Sequence, residues 1–168
     1  MGRIMENYGC YIIKDDFFNT YNDPYLKGNK KGNRPHYCCF KDKDNENLFW
    51  VIPMSHQIDK YEKLINKRME QNKPCDIVHI IKINNAKSVL LIQDMFPIIE
   101  KYIERPYTIN SIPLVIKNSK DINEINKKAK NIFRLINRKM KFNPTQPDVL
   151  SIKEQLIEEI EENSLLKI

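Results

Sequence analysis

The chain has 168 residues, which suffices for one domain whose core needs no disulfide or metal to hold it. Apolar residues make up 41% and charged residues 30% of the chain, and because Ile, Leu, Phe and Tyr recur in periodic runs, this composition excludes a disordered chain. The net charge is +6, with −3 on residues 149–168 and +9 on residues 1–148. A basic body favours a polyanionic partner, although a codon usage rich in Lys, Asn and Ile would produce the same composition.

The four cysteines form no Cys-x-x-Cys pair, so their spacing supports neither a zinc site nor redox chemistry. We expect Cys10, Cys38, Cys39 and Cys75 to be free, mostly buried thiols. No signal peptide is recognisable, and no apolar run approaches the ~20 residues of a membrane span. The expectation is a single cytoplasmic domain over residues 1–168.

Hydrophobic patterning predicts three strands and one helix in the first half of the chain. The strands are expected at residues 8–14, 36–41 and 48–53, and a short polar turn makes the last two a hairpin. Residues 15–33 are rich in Lys, Asn and Gly and are expected to form a mobile surface loop. Apolar residues at helical spacing then predict a helix over residues 58–72.

The middle of the chain carries a second hairpin pattern. Strands are expected at residues 76–83 and 87–92, on either side of the Asn-Asn dipeptide at 84–85, because Asn tolerates the positive φ that tight hairpin turns require. Asp94 is then expected to cap a short helix that reaches Glu104.

The last third of the chain is predicted to be mainly helical. One more strand is expected at residues 112–117, followed by an amphipathic helix over residues 119–141. Ser151 and Glu154 match a capping box and predict the start of a last helix. Strands joined by tight hairpins, with helices inserted and appended, are typical of an α+β fold: a compact, twisted antiparallel sheet of about five to six strands flanked by about four helices.

Two short segments at strand ends carry residue types that suit an RNA-cleaving site. Residues 32–36 read Gly-Asn-Arg-Pro-His and place Arg34 and His36 where a loop enters a strand. Residues 53–57 read Pro-Met-Ser-His-Gln and place Ser55 at the start of a helix, where free backbone N–H groups favour a phosphate. A hairpin of this size can bring the two segments together at one end of the sheet.

RNA can be cut by attack of its own 2′-OH, so an enzyme needs a base, an acid, and donors or cations for the phosphorane. His36 or His56 could move protons near neutral pH. Arg34 could hold phosphate oxygens through its planar fork. Ser55 and Gln57 could supply neutral donors, although a Ser before a helix is often only its N-cap.

Lysines near these segments predict a path for RNA, whereas the acidic residues do not suggest a metal. The residues expected to contact RNA are Lys30, Lys31, His56, Gln57, Lys60, Lys63 and Lys67. The acidic residues that fall close together have no His at a ligand spacing: Asp15, Asp16, Asp42, Asp44 and Glu46. His79, inside an apolar run, is interpreted as a core histidine with hydrogen-bond partners.

The same two segments resemble known toxins. Arg34 and Pro35 before a hydrophobic strand are similar to the start of that strand in MazF/Kid-type endoribonuclease toxins. Residues 51–57, Val-Ile-Pro-Met-Ser-His-Gln, resemble the strand end Ala-Pro-Leu-(Thr/Ser)-Ser-Pro-Lys of the ToxN/AbiQ proteins of type III toxin–antitoxin systems. The CptN branch of that family is similar in keeping both the Arg-Pro-His and the Pro-Met-Ser-His sequences.

The resemblance implies a MazF/Kid-like fold and an endoribonuclease without metal or other cofactor, leaving a cyclic phosphate and serving in phage defence. It further implies restraint by a small repeated pseudoknot RNA, with protein and RNA alternating in a closed assembly. Ser55 falls on the family's active-site serine, and His36 stands near a lysine of the relatives. The chain departs from the family in Met54, where Thr or Ser is common, and in Gln57, where Lys is common.

Two other functions fit the same residues. A non-catalytic RNA-binding protein would use the same basic surface and cut nothing. Alternatively, the acidic helix that begins near Ser151 would dock a protein partner.

Overall fold

The computed structural model describes residues 5–166, which fold around one main antiparallel sheet. Within these residues the sheet has seven strands, in the order β4-β5-β3-β2-β1-β7, with β6 also paired to β3. The strands are β1 (Cys10–Ile13), β2 (His36–Lys41), β3 (Leu48–Ser55), β4 (His79–Ile83), β5 (Ala86–Leu90), β6 (Phe96–Ile99) and β7 (Ile103–Pro106). A separate two-stranded ribbon joins β8 (Thr108–Ile109) to β9 (Ile112–Pro113). The helices are α1 (Asp15–Thr20), α2 (Ile58–Glu70), α3 (Ser119–Asn137) and α4 (Val149–Leu166).

Strand β3 is the centre of the sheet, and all eight of its residues are buried. One edge pairs with β2. The opposite edge is divided: residues 48–51 pair with β6, and residues 54–55 pair with β5. A strand that is paired on both edges and buried on both faces has a fixed register, because a shift by one residue would break every ladder at once.

The helices cover the sheet with two hydrophobic clusters. The larger cluster contains the inner faces of α3 and α4, and in it the Phe133 ring meets Trp50 edge to face at a centroid distance of 4.9 Å. The smaller cluster lies under α2 and contains Tyr61, Val78 and Val89. Helix α2 is therefore held against β4 and β5, beside the end of β3.

The structure confirms the α+β class, with an antiparallel sheet and four helices among residues 5–166. The main sheet has seven strands, more than the five to six expected. The Asn-Asn hairpin is also confirmed: Asn84 and Asn85 have φ of +47° and +68°, and Ile83 pairs with Ala86 across the turn. Consecutive positive φ values match the right-handed twist of the two strands.

Two expectations in the polar and middle segments are wrong. Residues 15–20 form α1 rather than a loop, because burial of Phe17 against the Phe96 ring outweighs the polar composition around it. Asp94 does not cap a helix that reaches Glu104. Instead it ends the short 3₁₀ turn Ile92–Asp94, and β6 and β7 follow.

Three boundaries in the last third also differ from expectation. Only Ile112–Pro113 of the expected strand at 112–117 forms a strand, and α3 ends at Asn137 rather than 141. Helix α4 begins at Val149, and Asp148 caps it by accepting a hydrogen bond from the Ser151 N–H at 3.2 Å. The expected capping box starting at Ser151 is therefore wrong by one helical turn.

Helix α4 is fastened to the body through one of its acidic residues. The Glu159 carboxylate accepts hydrogen bonds from the hydroxyls of Tyr21 (2.7 Å) and Tyr102 (2.9 Å) and pairs with Lys101. Part of the acidic face of α4 is thus used inside the chain, which weighs against a role of this helix in docking a partner.

His79 is a core histidine with partners on both ring nitrogens, as expected. Nε2 lies 3.2 Å from a carboxylate oxygen of Asp121, and the Lys128 ammonium donates to Nδ1 at 3.1 Å. Burial lowers the pKa of His79, although the hydrogen bond to Asp121 opposes this shift. The ring joins strand β4 to helix α3. Cys10, Cys38 and Cys39 are likewise free and buried, and Cys75 is partly buried.

Asp42 joins the β2–β3 hairpin to helix α4. One carboxylate oxygen accepts from the Trp50 indole N–H at 2.9 Å and lies 3.2 Å from the Lys153 ammonium. The other accepts from the backbone N–H groups of Asp44 and Asn45. Burial alone would raise the pKa of Asp42, but the hydrogen bonds from Trp50 and Lys153 hold it below its ordinary value.

We expect Asp42→Ala to lower the free energy of unfolding at pH 7 by about 3 kcal/mol, because it leaves a buried indole N–H and a mostly buried ammonium without their acceptor. Since the carboxyl pKa is depressed in the folded protein, the difference from wild type should shrink as the pH falls below about 4. Asp44→Ala is the matched control: its side chain is 87% exposed, and the change should stay within about 0.5 kcal/mol. Urea denaturation of the three proteins measures this, and equal losses would contradict it.

Candidate functional site

The two segments singled out in the sequence lie side by side. His36 stands opposite Pro53 in the β2–β3 register, and the Met54 N–H donates to the Pro35 carbonyl at 3.1 Å. One Nη1 hydrogen of Arg34 is donated to the Met54 carbonyl at 2.8 Å. The start of β2 and the end of β3 therefore lie together at one end of the sheet's strands, and helix α2 begins beside them. The edge of the site means this end of β2 and β3, not an outer strand of the sheet.

Arg34 braces this edge. Besides its bond to Met54, its Nε donates to the Gly28 carbonyl at 2.8 Å, and the side chain is only 8% exposed. Burial lowers the pKa of Arg34, while the nearby Asp94 carboxylate opposes the shift. A guanidinium has five N–H donors and uses two here, so it can fix the loop and still offer donors to a ligand.

The loop before Arg34 is closed by hydrogen bonds. The buried side chain of Asn29 donates to the Ile13 carbonyl at 3.1 Å. Its own backbone carbonyl accepts from the N–H groups of Asn33 (3.0 Å) and Arg34 (2.9 Å). The expected mobile loop is, in this part, a defined turn.

That turn has a left-handed backbone at three consecutive residues. Lys30, Lys31 and Gly32 have φ of +49°, +59° and +81°. Such φ values are natural for Gly but cost a residue with a Cβ roughly 1–2 kcal/mol. Both lysine side chains are exposed, so the turn holds two cations at the surface in a conformation that their own backbone disfavours.

His36 is not at the surface of this site. The side chain is completely buried, Nδ1 lies 3.1 Å from the Arg34 carbonyl, and the ring meets Phe96 edge to face. Burial, and then the charge of Arg34, lower the pKa of His36 to about 3. A neutral, enclosed imidazole cannot exchange protons with an RNA. This position does not favour the predicted role of His36 in catalysis; the ring is a core contact of the Arg34 backbone.

Ser55 is the last residue of β3 rather than the first of a helix. Its hydroxyl oxygen accepts from the Gln57 N–H at 3.2 Å, and α2 begins at Ile58 with Gln57 in the N-cap position. The side chain is 5% exposed. Because the hydroxyl acts as an acceptor in that bond, its hydrogen stays available to a ligand; among residues 5–166 it makes no other hydrogen bond.

Helix α2 presents the other residues expected to contact RNA. His56, Gln57 and Lys60 are exposed around its start, and Lys63 and Lys67 are exposed further along it. The Lys60 ammonium lies 5.2 Å from the centre of the Tyr61 ring. The first N–H groups of a helix have no partners within it and favour an anion. The structure thus places the expected contacts on one helix and one turn beside Ser55.

Three residues near this edge were not predicted from the sequence: Lys27, Tyr61 and Asp94. Asp94 is buried and interacts electrostatically with Lys27, Arg34 and Lys60, and the Tyr61 hydroxyl interacts with both Asp94 and Arg34. One signal for Asp94 was present: it is the one charged residue in the apolar stretch 89–99. A lone acid in such a stretch has to be buried near cations or neutralised.

Neither a metal cluster nor a membrane helix is found in the described part of the chain. Residues 5–166 contain no group of three or more His, Cys, Asp or Glu side chains arranged to hold a metal ion. None of the helices in this range is both long and apolar enough to cross a bilayer.

No family model matches the chain, and no curated protein matches its sequence. Solved structures do match. One is from a study of bacterial type III toxin–antitoxin systems and selective toxin inhibition by a non-coding RNA pseudoknot; it has a TM-score of 0.64 and 16% identity over 93% of this chain and 99% of the other. Another is AbiQ, a lactococcal anti-phage endoribonuclease of the type III toxin–antitoxin system, with a TM-score of 0.56 and 17% identity over 92% and 99%. The fold expected from the resemblance to ToxN/AbiQ proteins is confirmed.

We expect Lys31→Gly to raise the free energy of unfolding by about 1 kcal/mol, because Gly adopts the observed positive φ without a Cβ clash. Lys63→Gly is the control of opposite sign, since it removes the same side chain from an exposed helical position and should cost about 1 kcal/mol. Thermal or urea unfolding of both variants measures the difference. A Lys31→Gly protein less stable than wild type would contradict the assignment of strain to this turn.

Proposed function

We propose that this chain is the toxin of a type III toxin–antitoxin system, an endoribonuclease that cuts RNA through attack of the 2′-OH without a metal or other cofactor. The observation that supports this best is the position of Ser55. Ser55 ends β3, directly after the Met54 carbonyl that binds the Arg34 guanidinium and three residues before the start of α2. The fold shared with a type III toxin study and with an anti-phage endoribonuclease supports the same function.

The site can bind a phosphate and stabilise a phosphorane. Ser55 donates its free hydroxyl hydrogen to a non-bridging oxygen, and the first-turn N–H groups of α2 favour the same charge. The unused N–H donors of Arg34 and the Lys60 ammonium lie at the same edge. Lys30 and Lys31 on the turn, and Lys63 and Lys67 on α2, extend the cationic surface along the strand of RNA.

Proton transfer is assigned to the exposed rim of the site. His56 is exposed directly after Ser55, and imidazole is the side chain that most often serves as a general acid or base. His36 supports the Arg34 backbone from the core. Since Gln57 stands where relatives often have Lys, we assign it a hydrogen-bonding role rather than that of a proton donor.

The proposed restraint is a small repeated RNA whose pseudoknots cover the basic edge, with protein and RNA alternating in a closed assembly. We further propose the CptN branch, from the Arg34-Pro35-His36 and Pro53-Met54-Ser55-His56 sequences, a cytoplasmic location and a role in phage defence.

A non-catalytic RNA-binding protein is the second candidate. The observation that favours it is the burial of His36, together with Gln57 at a position where relatives often have Lys; these leave the site with few groups suited to proton transfer. This alternative predicts salt-sensitive RNA binding without cleavage.

Purified protein should cleave mixed RNA in the presence of EDTA, and Ser55→Ala should lower the cleavage rate by about 10²–10³, the typical effect of losing one donor to a developing oxyanion. Ser88→Ala is the matched control, because it removes an equally buried hydroxyl, one that donates to the Ser55 backbone carbonyl at 3.5 Å. It should stay within a few-fold of wild type. Cleavage that needs a divalent metal, or that survives Ser55→Ala, would contradict the mechanism; RNA bound but uncut by wild type would favour the second candidate.

Replacing Lys63 and Lys67 by Ala should weaken RNA binding and make the dependence of log K on log salt shallower. The slope should fall by about 0.7 for each phosphate of a single strand that a lysine no longer neutralises. Lys127→Ala, on the exposed face of α3, is the control and should leave the slope unchanged. Fluorescence anisotropy with a labelled oligonucleotide at several salt concentrations measures both. Equal slopes in all variants would remove α2 from the RNA path.

A further inference from the structure

Asp94 is a buried carboxylate at the edge that holds the proposed RNA site. It ends the 3₁₀ turn Ile92–Asp94, is 2% exposed, and its Oδ2 has no hydrogen-bond partner among residues 5–166. The turn is attached to the site because the Leu91 N–H donates to the Pro53 carbonyl at 2.9 Å, two residues before Ser55. A buried polar atom without a partner is rare and calls for an explanation.

The charged and titratable groups that interact with Asp94 lie on three segments of the chain, whereas α3 and β3, which also pack on its turn, contribute none of them. Lys27 approaches from the loop after α1, Arg34 from the start of β2, and Lys60 from the first turn of α2. The Tyr61 hydroxyl, also on α2, interacts with the carboxylate as well. None of these groups donates a hydrogen bond to Oδ2, so the interaction is one of charge at a distance.

Two of these three cations, Arg34 and Lys60, are the ones assigned above to the RNA phosphate. In the free protein, the single carboxylate offsets part of their mutual repulsion. A phosphate at the same edge supplies that negative charge itself. The carboxylate would then stand near a second anion in a buried position, which favours its protonated form.

We propose that Asp94 is a positioning residue of the RNA site: a resident anion that holds Lys27, Arg34 and Lys60 at the edge in the free protein and takes up a proton when an RNA phosphate replaces it there. This inference rests on the proposed function. It adds that RNA binding is coupled to one buried proton.

The direction of the coupling follows from the free protein. Burial, opposed by the three cations, raises the pKa of Asp94 to about 6. Bound phosphate raises the pKa further, so RNA binds more tightly where the proton is available. Between pH 6 and pH 8, RNA affinity should therefore fall as the pH rises, by at most tenfold per pH unit for one proton.

A second consequence does not involve RNA. Because the folded pKa of Asp94 lies above the ordinary carboxyl value of 3.8, folding favours the protonated form. This contribution to stability is fully present below about pH 4 and is lost as the pH rises through about 6. Asp94→Asn, which is always neutral, should be more stable than wild type at pH 7.5 and should lose most of that difference by pH 4.5.

The experiment measures binding of a fully 2′-O-methylated, labelled RNA oligonucleotide, which cannot be cut, in EDTA from pH 5.5 to pH 8. Because His56 is an exposed imidazole directly after Ser55, all proteins carry His56→Gln, so that this side chain takes no part in the measurement. Asp94→Asn should bind more tightly at pH 8, and its affinity should vary less than twofold across the range. Asp59→Asn is the matched control: it removes an exposed acid from the first turn of α2 and should keep the pH slope of the parent.

Calorimetry on the His56→Gln parent, in two buffers of different ionisation enthalpy at pH 7, counts the protons taken up on RNA binding directly and does not depend on the folding of an Asp94 variant. Uptake approaching one proton supports the inference. No uptake, or a pH slope that persists in Asp94→Asn, overturns it while RNA binding and the proposed function stand. Failure of the parent protein to bind RNA at any pH and low salt would instead overturn the proposed function, and the inference with it.

Discussion

The pairing of β3 along both of its edges is the constraint on which the site depends. The strand is hydrogen-bonded to β2 on one side and to β6 and β5 on the other, so its last residues cannot shift. The carbonyl of Met54 is therefore a fixed acceptor, and the Arg34 guanidinium uses it to attach the preceding loop to the sheet. This contact fixes the turn that carries Lys30 and Lys31 to the central strand.

The site holds several positively charged side chains close together, although like charges repel one another. Lys30 and Lys31 stand in a left-handed turn, and Arg34 is nearly buried, so each is held where an unconstrained cation would not stay. The unfavourable free energy of this arrangement is offset by the burial of the central strand β3 and of the helices packed on it. A rigid scaffold with strained, cationic loops is the usual division between folding and binding in small proteins.

Sequence reasoning succeeded where a local pattern determines the structure. The Asn84-Asn85 turn, the amphipathic α3 and the meeting of the two strand ends all follow from residues close together in the chain. It failed where distant contacts decide. The polar segment Asp15–Thr20 is helical because Phe17 packs on Phe96, which is far away in the sequence.

Pro97 shows the same limit at a single position. The helix expected from Asp94 to Glu104 would have held Pro97 in its first turn, where proline is common, but in the structure Pro97 lies in β6, opposite Trp50. A proline is tolerated there because β6 pairs only with β3 within the described sheet, so its missing N–H leaves no second ladder broken. Whether a strand is paired on one edge or on both depends on the topology of the whole sheet, and a local sequence pattern does not contain that information.

The burial of His36 changes what kind of catalyst this edge can be. With that imidazole neutral in the core, the polar atoms at the proposed phosphate position are mainly fixed donors and cations: the Ser55 hydroxyl, the first N–H groups of α2, Arg34 and Lys60. Such groups stabilise charge that develops on a phosphorane without moving a proton, and they need no reorganisation when the reaction occurs. The 2′-OH of RNA supplies the nucleophile, so a site of this composition can act chiefly by holding the substrate in line and by stabilising its negative charge. In the proposed mechanism, proton transfer is therefore assigned to the exposed rim, where His56 is in contact with solvent.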